Sequence, residues 1–191
     1  MKKLPIFPLL LAAIIYLALF VLASSCGLIH PACYAYAGTI APLFFAFVYL
    51  FSAAKLQSFG TATILNGFVL IIGLLMGEGN AAMIVLLILL TVIAEIVRKL
   101  CGHHSLKGVR RSFIPFAFSF YAYSAHWWTN TETSLAEAVE EMPVGYAEMM
   151  ERVISNIPML IVMLILTVLV AILGMRLAEK VLKKQAASLR K

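Results

Sequence analysis

The feature that most constrains this chain is a pair of apolar runs separated by a short polar turn. The runs occupy residues 61–76 and 81–97, and the turn between them reads Gly77-Glu78-Gly79-Asn80. Each run has about 16 or 17 residues, near the lower limit for a helix that crosses the hydrocarbon core of a bilayer. A segment in lipid must satisfy its backbone polar groups internally, as a helix does. The two runs therefore predict a helical hairpin inside a membrane.

Composition places the whole chain in the same class. Of its 191 residues, 63% are hydrophobic, and the mean hydropathy is +0.99. These values are typical of a protein that crosses a membrane several times. We predict an all-α polytopic membrane protein with one integral membrane domain, residues 1–191. Its six predicted spans are residues 4–25, 37–54, 61–77, 80–97, 111–128 and 157–176, with short amphipathic helices between the fifth and sixth.

The first apolar run has a second interpretation. It follows Lys2 and Lys3 and ends in Ala23-Ser24-Ser25-Cys26, which is similar to the end of a cleaved lipoprotein signal. Three positions before the cysteine, however, stands alanine rather than the usual leucine. Since five further apolar runs follow, we interpret this run as the first transmembrane helix.

The distribution of charge predicts the orientation. All Lys and Arg residues except Arg152 lie at the N-terminus, near Lys55, between Arg98 and Arg111, or after Arg176. Six of the nine carboxylates fall instead within residues 132–151. Under the positive-inside rule, both termini are cytoplasmic and the acidic loop is outside. The net charge of +6 is therefore a topology signal and no indication of nucleic-acid binding.

The sequence gives no support to an enzyme. It contains no aspartate, no Gly-x-x-x-x-Gly-Lys-Ser/Thr phosphate loop, no Gly-x-Ser-x-Gly and no His-Glu-x-x-His. Glu140-Glu141 resembles the start of the glutamate pair of CAAX-type proteases, but Gly145 stands where that motif has arginine. We expect neither catalysis nor ATP hydrolysis by this chain.

The loop after the first span carries soft ligands. Cys26 and Cys33 would face an oxidising exterior, so one interpretation is a disulfide that fixes the loop. In the other interpretation, Cys26, His30 and Cys33 are ligands of a soft metal or of haem iron. His126 could supply a further donor, or it could be a solvated histidine at the membrane edge.

Two glutamates lie near ends of the central hairpin. Glu78 either orients an amine or hydroxyl of a substrate or keeps the turn in water. Glu95 precedes Arg98 and Lys99 by three and four residues, so pairing along one helix is expected. The many aromatic residues of the fifth span are in part explained by the preference of Tyr and Trp for the membrane interface.

Three short motifs in this region resemble the Trep_Strep family: Lys55-Leu56-Gln57-Ser58-Phe59-Gly60, the Gly-x-Gly turn, and Ala94-Glu95-Ile96-Val97-Arg98. The resemblance implies a substrate-binding S component of an energy-coupling factor (ECF) importer in a bacterial plasma membrane. It implies six helices and capture of a small molecule from outside. The implied partners are a transmembrane scaffold subunit and two ATPase subunits, besides the lipid bilayer.

By position, the resemblance also implies the sites. The expected substrate-binding residues are Cys26, His30, Cys33, Tyr34, Glu78, Asn80, Tyr121, Tyr123, His126 and Trp127. The expected docking face comprises Ala12, Ala13, Gly73 and Gly77, although Tyr16 replaces the second alanine of the usual Ala-x-x-x-Ala pattern.

The substrate is left open between two classes. An aromatic, Met-rich and weakly acidic surface suits haem or another porphyrin, and nearly as well a vitamin-like heterocycle. Haem would then be cargo, and no other cofactor is expected.

Two other functions are retained. One is a secondary transporter, which would need charges near the bilayer midplane. The other is a membrane sensor of metal or redox state that uses Cys26 and Cys33.

Overall fold

A computed structural model describes residues 5–189 and shows a bundle of α-helices, with no strand in that range. In chain order the helices are α1 Ile6–Ser25, α2 Pro31–Ala35, α3 Ala37–Ile40, α4 Pro42–Leu56, α5 Thr61–Leu75, α6 Ala81–Cys101, α7 Leu106–Phe116, α8 Ser119–Ser124, α9 His126–Thr129, α10 Thr131–Glu141, α11 Tyr146–Ile154, α12 Ile157–Val181 and α13 Lys183–Ser188. A 3-10 turn, Cys26–Leu28, continues α1. The predicted all-α class is confirmed.

Among residues 5–189, three segments are long and apolar enough to cross a membrane: Ile6–Leu28, α6 and α12. They correspond to the first, fourth and sixth predicted spans, and α12 continues beyond the predicted end to Val181. α4 and α5 are apolar but have only 15 residues each. Crossing by these shorter helices, and hence the number of six spans, stays a prediction.

Two predicted spans are interrupted, each close to a proline. The span predicted at 37–54 consists of α3 and α4, and Pro42 begins α4. The span predicted at 111–128 is divided into α7, α8 and α9, with Pro115 in the last turn of α7. Proline has no N–H and its ring crowds the preceding turn, so a helix bends or restarts there. α7 also begins before Arg111, because the Ser105 hydroxyl accepts a hydrogen bond from Gly108 N–H at 2.9 Å and caps the helix.

Aromatic side chains fill the centre of the bundle. The Tyr16 ring of α1 lies 4.8 Å from Phe45 of α4 and 5.3 Å from Phe116 of α7, measured between centroids. Phe113 and Phe120 are fully buried in the same core. The aromatic residues of the fifth predicted span therefore pack largely inward, and an interfacial belt does not account for them.

The amide of Asn66 connects three helices within this apolar core. Its oxygen accepts a hydrogen bond from the Tyr16 hydroxyl at 3.0 Å, and its nitrogen donates to the Thr91 hydroxyl at 2.9 Å. A buried polar group is costly unless it is hydrogen-bonded. These two hydrogen bonds satisfy the Asn66 amide and hold α5 against α1 and α6.

Charged residues separate to the two ends of the bundle. At one end, which we call the basic end, α4, α6 and α12 finish and α5 and α7 start. Here Arg110 forms a bidentate ion pair with Glu179 and joins α7 to α12. Residues 26–36 and 125–156 cover the opposite end, and we call them the cap. The cap contains all six carboxylates of the acidic loop.

Glu95 of α6 closes the start of α5 at the basic end. Its carboxylate accepts hydrogen bonds from the backbone N–H groups of Gly60 at 3.0 Å, Ala62 at 2.8 Å and Thr63 at 3.2 Å. The residue that precedes α5, Gly60, has φ +112° and no side chain to cap the helix. Because the first N–H groups of a helix have no partner within it and attract negative charge, the buried Glu95 takes the place of a cap. The expected pairing of Glu95 along its own helix is therefore wrong.

Arg98, one turn further along α6, is fully buried and connects four segments. Its guanidinium donates to the Thr61 hydroxyl at 2.9 Å and to the Ala53 carbonyl at 3.4 Å in the last turn of α4. It also donates to the His103 carbonyl, at 3.1 Å from Nη2 and 3.3 Å from Nε. A guanidinium presents five donors in a fixed plane, so this one side chain can bind α4, α5 and the connection after α6 together.

The structure contradicts the predicted docking face. Ala12 and Ala13 are 2% and 1% exposed, because their side of α1 packs into the aromatic core. A Cβ on Gly73 would lie 3.0 Å from the Met83 side chain, so this glycine faces α6 of the same chain. Gly77 has φ +82° and serves the turn after α5. Small residues allow helices to approach each other closely, and most of the small residues of the predicted face serve contacts within this chain.

The contacts of Arg98 lead to a stability prediction with a neighbouring control. Arg98→Ala leaves the Thr61 hydroxyl and two carbonyl groups without this donor, and hydrogen bonds to charged groups contribute about 1.5–3 kcal/mol each. We expect the free energy of unfolding to fall by at least about 2 kcal/mol on that basis. Lys99→Ala, on the exposed side of the same turn, should change it by no more than about 0.5 kcal/mol. Thermal unfolding in mild detergent measures both changes, and equal effects would contradict the structural role of the Arg98 contacts.

Candidate functional site: a cavity beneath the cap

The two segments of the cap pack on each other. The Tyr36 hydroxyl at the end of α2 donates to the Val153 carbonyl of α11 at 3.2 Å and joins the segments. Within the second segment, Trp128 Nε1 of α9 donates to the Ile154 carbonyl of α11 at 3.1 Å. Ala35 and Trp127 join the buried apolar side of α10 and α11, which includes Met150. The two amphipathic helices predicted for the acidic loop are thereby confirmed, and their carboxylates lie on the other side.

A cavity of about 350 Å³ lies where the cap meets the bundle. The last turns of α1 and α5 form its walls, together with the start of α6 and with Tyr123 of α8. Most of its lining is apolar: Leu17, Phe20, Val21, Val69, Ile72, Met76, Met83 and Met142. A concave apolar site with few polar groups is the usual form of a small-molecule site.

Polar groups gather on one side of this cavity. Glu78, in the turn between α5 and α6, accepts a hydrogen bond from the Tyr123 hydroxyl at 3.3 Å. Ser24 of α1 and Tyr34 of α2 are further polar neighbours of that hydroxyl. The site thus combines one carboxylate with several hydroxyl groups, and no Lys, Arg or His is among the residues that line it.

Two of the predicted substrate-binding residues, Glu78 and Tyr123, line the cavity. Tyr34 lies behind them, and its ring packs edge-on against Phe120 and Trp127 at centroid distances of 6.0 and 6.2 Å. Trp127 is itself buried in the cap. Tyr34 and Trp127 therefore pack behind the cavity wall and are not among the residues that line it.

Three other predicted site residues have structural roles elsewhere. The Asn80 side chain caps α6 by accepting from Met83 N–H at 2.8 Å. The Tyr121 hydroxyl lies 2.6 Å from the Thr39 hydroxyl, on the side of α8 that faces α3 and away from the cavity. His126 Nδ1 lies 2.8 Å from the Ser134 hydroxyl and joins α9 to α10. The prediction that these residues bind substrate is not supported, because each is committed to a contact within the fold.

The soft ligands of the first loop are not brought together. His30 Nδ1 accepts from Ala32 N–H at 3.1 Å and caps α2, so this nitrogen is occupied. The Cys26 thiol is directed to the Leu22 carbonyl at 3.6 Å, and Cys33 is exposed. Within residues 5–189, no group of three His, Cys, Asp or Glu side chains could hold a metal ion. The predicted disulfide is also not formed, since both thiols are free.

Sequence reasoning missed the contribution of α1. Ser24 and Ser25 line the cavity, and their hydroxyls donate to the Phe20 and Val21 carbonyls at 3.1 and 2.9 Å. Two hydroxyl residues in the last turn of an otherwise apolar helix were the available signal. Met83 and Met142 carried no comparable signal, because methionine is common in apolar segments of every kind.

The state of the cysteines can be tested directly. We expect unreduced, purified protein to react with a maleimide at both Cys26 and Cys33, and faster at Cys33 because that thiol is exposed. Intact-mass measurement before and after labelling gives the number and order of modified thiols. A protein that is labelled at Cys26 and Cys33 only after reduction would contradict the free thiols and show that the two cysteines form a disulfide.

Comparison with known proteins assigns the chain to a family. A family model described as a hypothetical bacterial integral membrane protein, Trep_Strep, matches residues 6–187, which is nearly the whole chain. No curated protein and no solved structure matches it. The match agrees with the three segments that are long and apolar enough to span a membrane. The chain therefore belongs to the Trep_Strep family of bacterial integral membrane proteins.

Proposed function

We propose that this protein is the substrate-binding S component of an ECF-type importer and that the cavity beneath the cap is its substrate site. The cavity of about 350 Å³ is the observation that carries this proposal. It combines an apolar wall, a few convergent polar groups and a position at one end of a membrane bundle. The short motifs whose resemblance implies an S component support the same function, and the family match over residues 6–187 agrees with it as far as an integral membrane protein.

In this proposal the cap faces the outside and the basic end faces the cytoplasm. Lys55, Lys99, Lys107 and Arg111 all belong to the basic end, and the positive-inside rule assigns such an end to the cytoplasm. The acidic cap then receives substrate from outside. Met142, in the connection between α10 and α11, forms part of the cavity wall, so movement of this connection would open or close the site.

Energy for release would come from partners. The sequence has no phosphate-binding loop of the ATPase type. Glu95, which binds backbone N–H groups, and the ion pair of Arg110 with Glu179 both lie at the basic end of the bundle. A proton- or ion-coupled transporter, in contrast, needs ionisable groups within the membrane. A scaffold subunit and two ATPase subunits supply what this chain lacks.

The orientation can be tested with two single-cysteine variants. Cys26→Ser with Cys101→Ser leaves Cys33 in the cap, and Cys26→Ser with Cys33→Ser leaves Cys101 at the basic end. We expect a membrane-impermeant maleimide to label the first variant in intact spheroplasts. The second should be labelled only after the membrane is permeabilised, because its thiol would face the cytoplasm. The reverse pattern would place the cap in the cytoplasm and contradict the proposed function.

The partners and the cavity can be tested together. From native membranes in mild detergent, we expect the tagged protein to bring a scaffold subunit, ATPase subunits and a small molecule that native mass spectrometry detects. Gly73→Leu places a side chain at the cavity wall, so it should keep the subunits and lose the small molecule. Gly67→Leu is the matched control, since a Cβ there has no neighbour within 4 Å. A protein that arrives without ATPase subunits at native expression contradicts the importer function.

A further inference from the structure

We infer that the cavity beneath the cap selects a small cationic ligand, with an apolar body and an ammonium group held by Glu78. This inference rests on the proposed function, in which the cavity is the substrate site. It narrows the substrate to a class that the sequence left open. Three properties of the cavity carry it: its charge, its wall and its size.

The charge of the lining is one-sided. Glu78 supplies the carboxylate, and among the residues that the structure describes no lining side chain is cationic. The Tyr123 hydroxyl donates to one Glu78 oxygen at 3.3 Å. An ionised carboxylate has about four acceptor positions, so several remain for a ligand N–H. A charge-assisted hydrogen bond from an ammonium group is the strongest that this site can form.

The position of Glu78 is fixed by the turn that carries it. Gly77 has φ +82°, a conformation that glycine adopts without steric cost, and the N–H of Glu78 donates to the Gly73 carbonyl at 2.9 Å. The following helix is capped by Asn80. The turn therefore fixes the backbone of Glu78, and its exposed carboxylate contacts the cavity wall through the hydrogen bond from Tyr123.

The wall is suited to the rest of such a ligand. Phe20 and Tyr123 present aromatic rings, whose faces attract cations. Met76, Met83 and Met142 present flexible, polarisable thioethers, which adapt to an irregular apolar body. An ammonium group near Glu78 would lie beside the Tyr123 ring, while methyl or ring carbons contact the methionines.

Size and charge together disfavour haem. A cavity of about 350 Å³ is near the lower end of the range for ligand sites, which is roughly 300–1,000 Å³. A porphyrin with two propionates would bring two negative charges to a site whose only charged group is a carboxylate. The like charges of the propionates and Glu78 would repel each other. A small cation, for example a heterocycle that carries an amine or a quaternary nitrogen, fits this volume and is attracted by the carboxylate.

A pair of reactive probes tests the charge preference without knowledge of the natural ligand. In a background of Cys26→Ser, Cys33→Ser and Cys101→Ser, Ser24→Cys places one thiol in the cavity wall beside Tyr123. The purified full-length protein is treated with two methanethiosulfonates of equal chain length, the cationic trimethylammonium-ethyl reagent and the anionic sulfonatoethyl reagent. The measured quantity is the ratio of their modification rates. Ser155→Cys, on the exposed surface of the cap, gives the reference ratio for this acidic end of the protein.

We expect the cationic-to-anionic rate ratio at position 24 to exceed the reference ratio at least tenfold. Glu78→Gln should remove that excess, because it deletes the carboxylate and keeps the size of the side chain. Glu140→Gln, an exposed carboxylate of the same cap outside the cavity lining, should leave it unchanged. A ratio at position 24 no greater than the reference, or an excess that survives Glu78→Gln, overturns the inference.

This experiment and the purification of partners fail independently. If the ATPase subunits co-purify but the cavity shows no preference for the cationic reagent, the importer function stands and the cationic class is wrong. If the preference is found and no subunits co-purify, the cavity is a cation site in a protein that is not an S component.

Discussion

The burial of Glu95 and Arg98 at the basic end is the constraint on which the rest of the structure depends. An uncompensated charge in an apolar environment is costly, so each of these side chains requires a complete set of partners. The partners are backbone and hydroxyl groups of three other segments: the end of α4, the start of α5 and the connection from α6 to α7. If any of these segments moved by a few ångströms, a charge would lose its hydrogen bonds. The two residues therefore fix the relative positions of four segments.

The cavity depends on this arrangement from a distance. α5 and α6 are held together at the basic end by Glu95 and near their middle by the hydrogen bond from Asn66 to Thr91. Both helices then extend to the turn that carries Glu78, so the carboxylate reaches Tyr123 at a position set by two rigid helices. The cap is connected differently, through aromatic packing and single hydrogen bonds such as Tyr36 to Val153. The cavity therefore lies between rigid helices and a more weakly connected cap, which suits a site that must admit and release a ligand.

The sequence predicted those features that depend on local pattern. Long apolar helices followed from long apolar runs, and the amphipathic helices of the cap followed from their spacing. The interruptions of the second and fifth spans near Pro42 and Pro115 were not predicted. Glu78 and Tyr123 were expected in the site from the positions that the resemblance to Trep_Strep implies. The errors concern tertiary partners. Ala12 and Ala13 are internal, Tyr121 faces Thr39, and Glu95 reaches another helix, because side-chain direction relative to a neighbour cannot be read from one helix alone.

The unequal helix lengths have a consequence for the surrounding bilayer. At 1.5 Å per residue, the 15 residues of α5 extend about 22 Å, whereas the 25 residues of α12 extend about 37 Å. The hydrocarbon core of a typical bilayer is about 30 Å thick. α5 packs on α1 and α6 and exposes Ile71, Leu74 and Leu75, while α12 packs on α4 and α7. Where α5 crosses the bilayer, the lipids beside it would have to compress, at a modest cost per ångström. The last turns of α12 carry Arg176, Glu179 and Lys180 and belong to the basic end, so the apolar part of α12 is close to the thickness of the hydrocarbon core. The bilayer would thus be thinner on the α5 side of the protein, and the tilt of the protein would respond to membrane thickness.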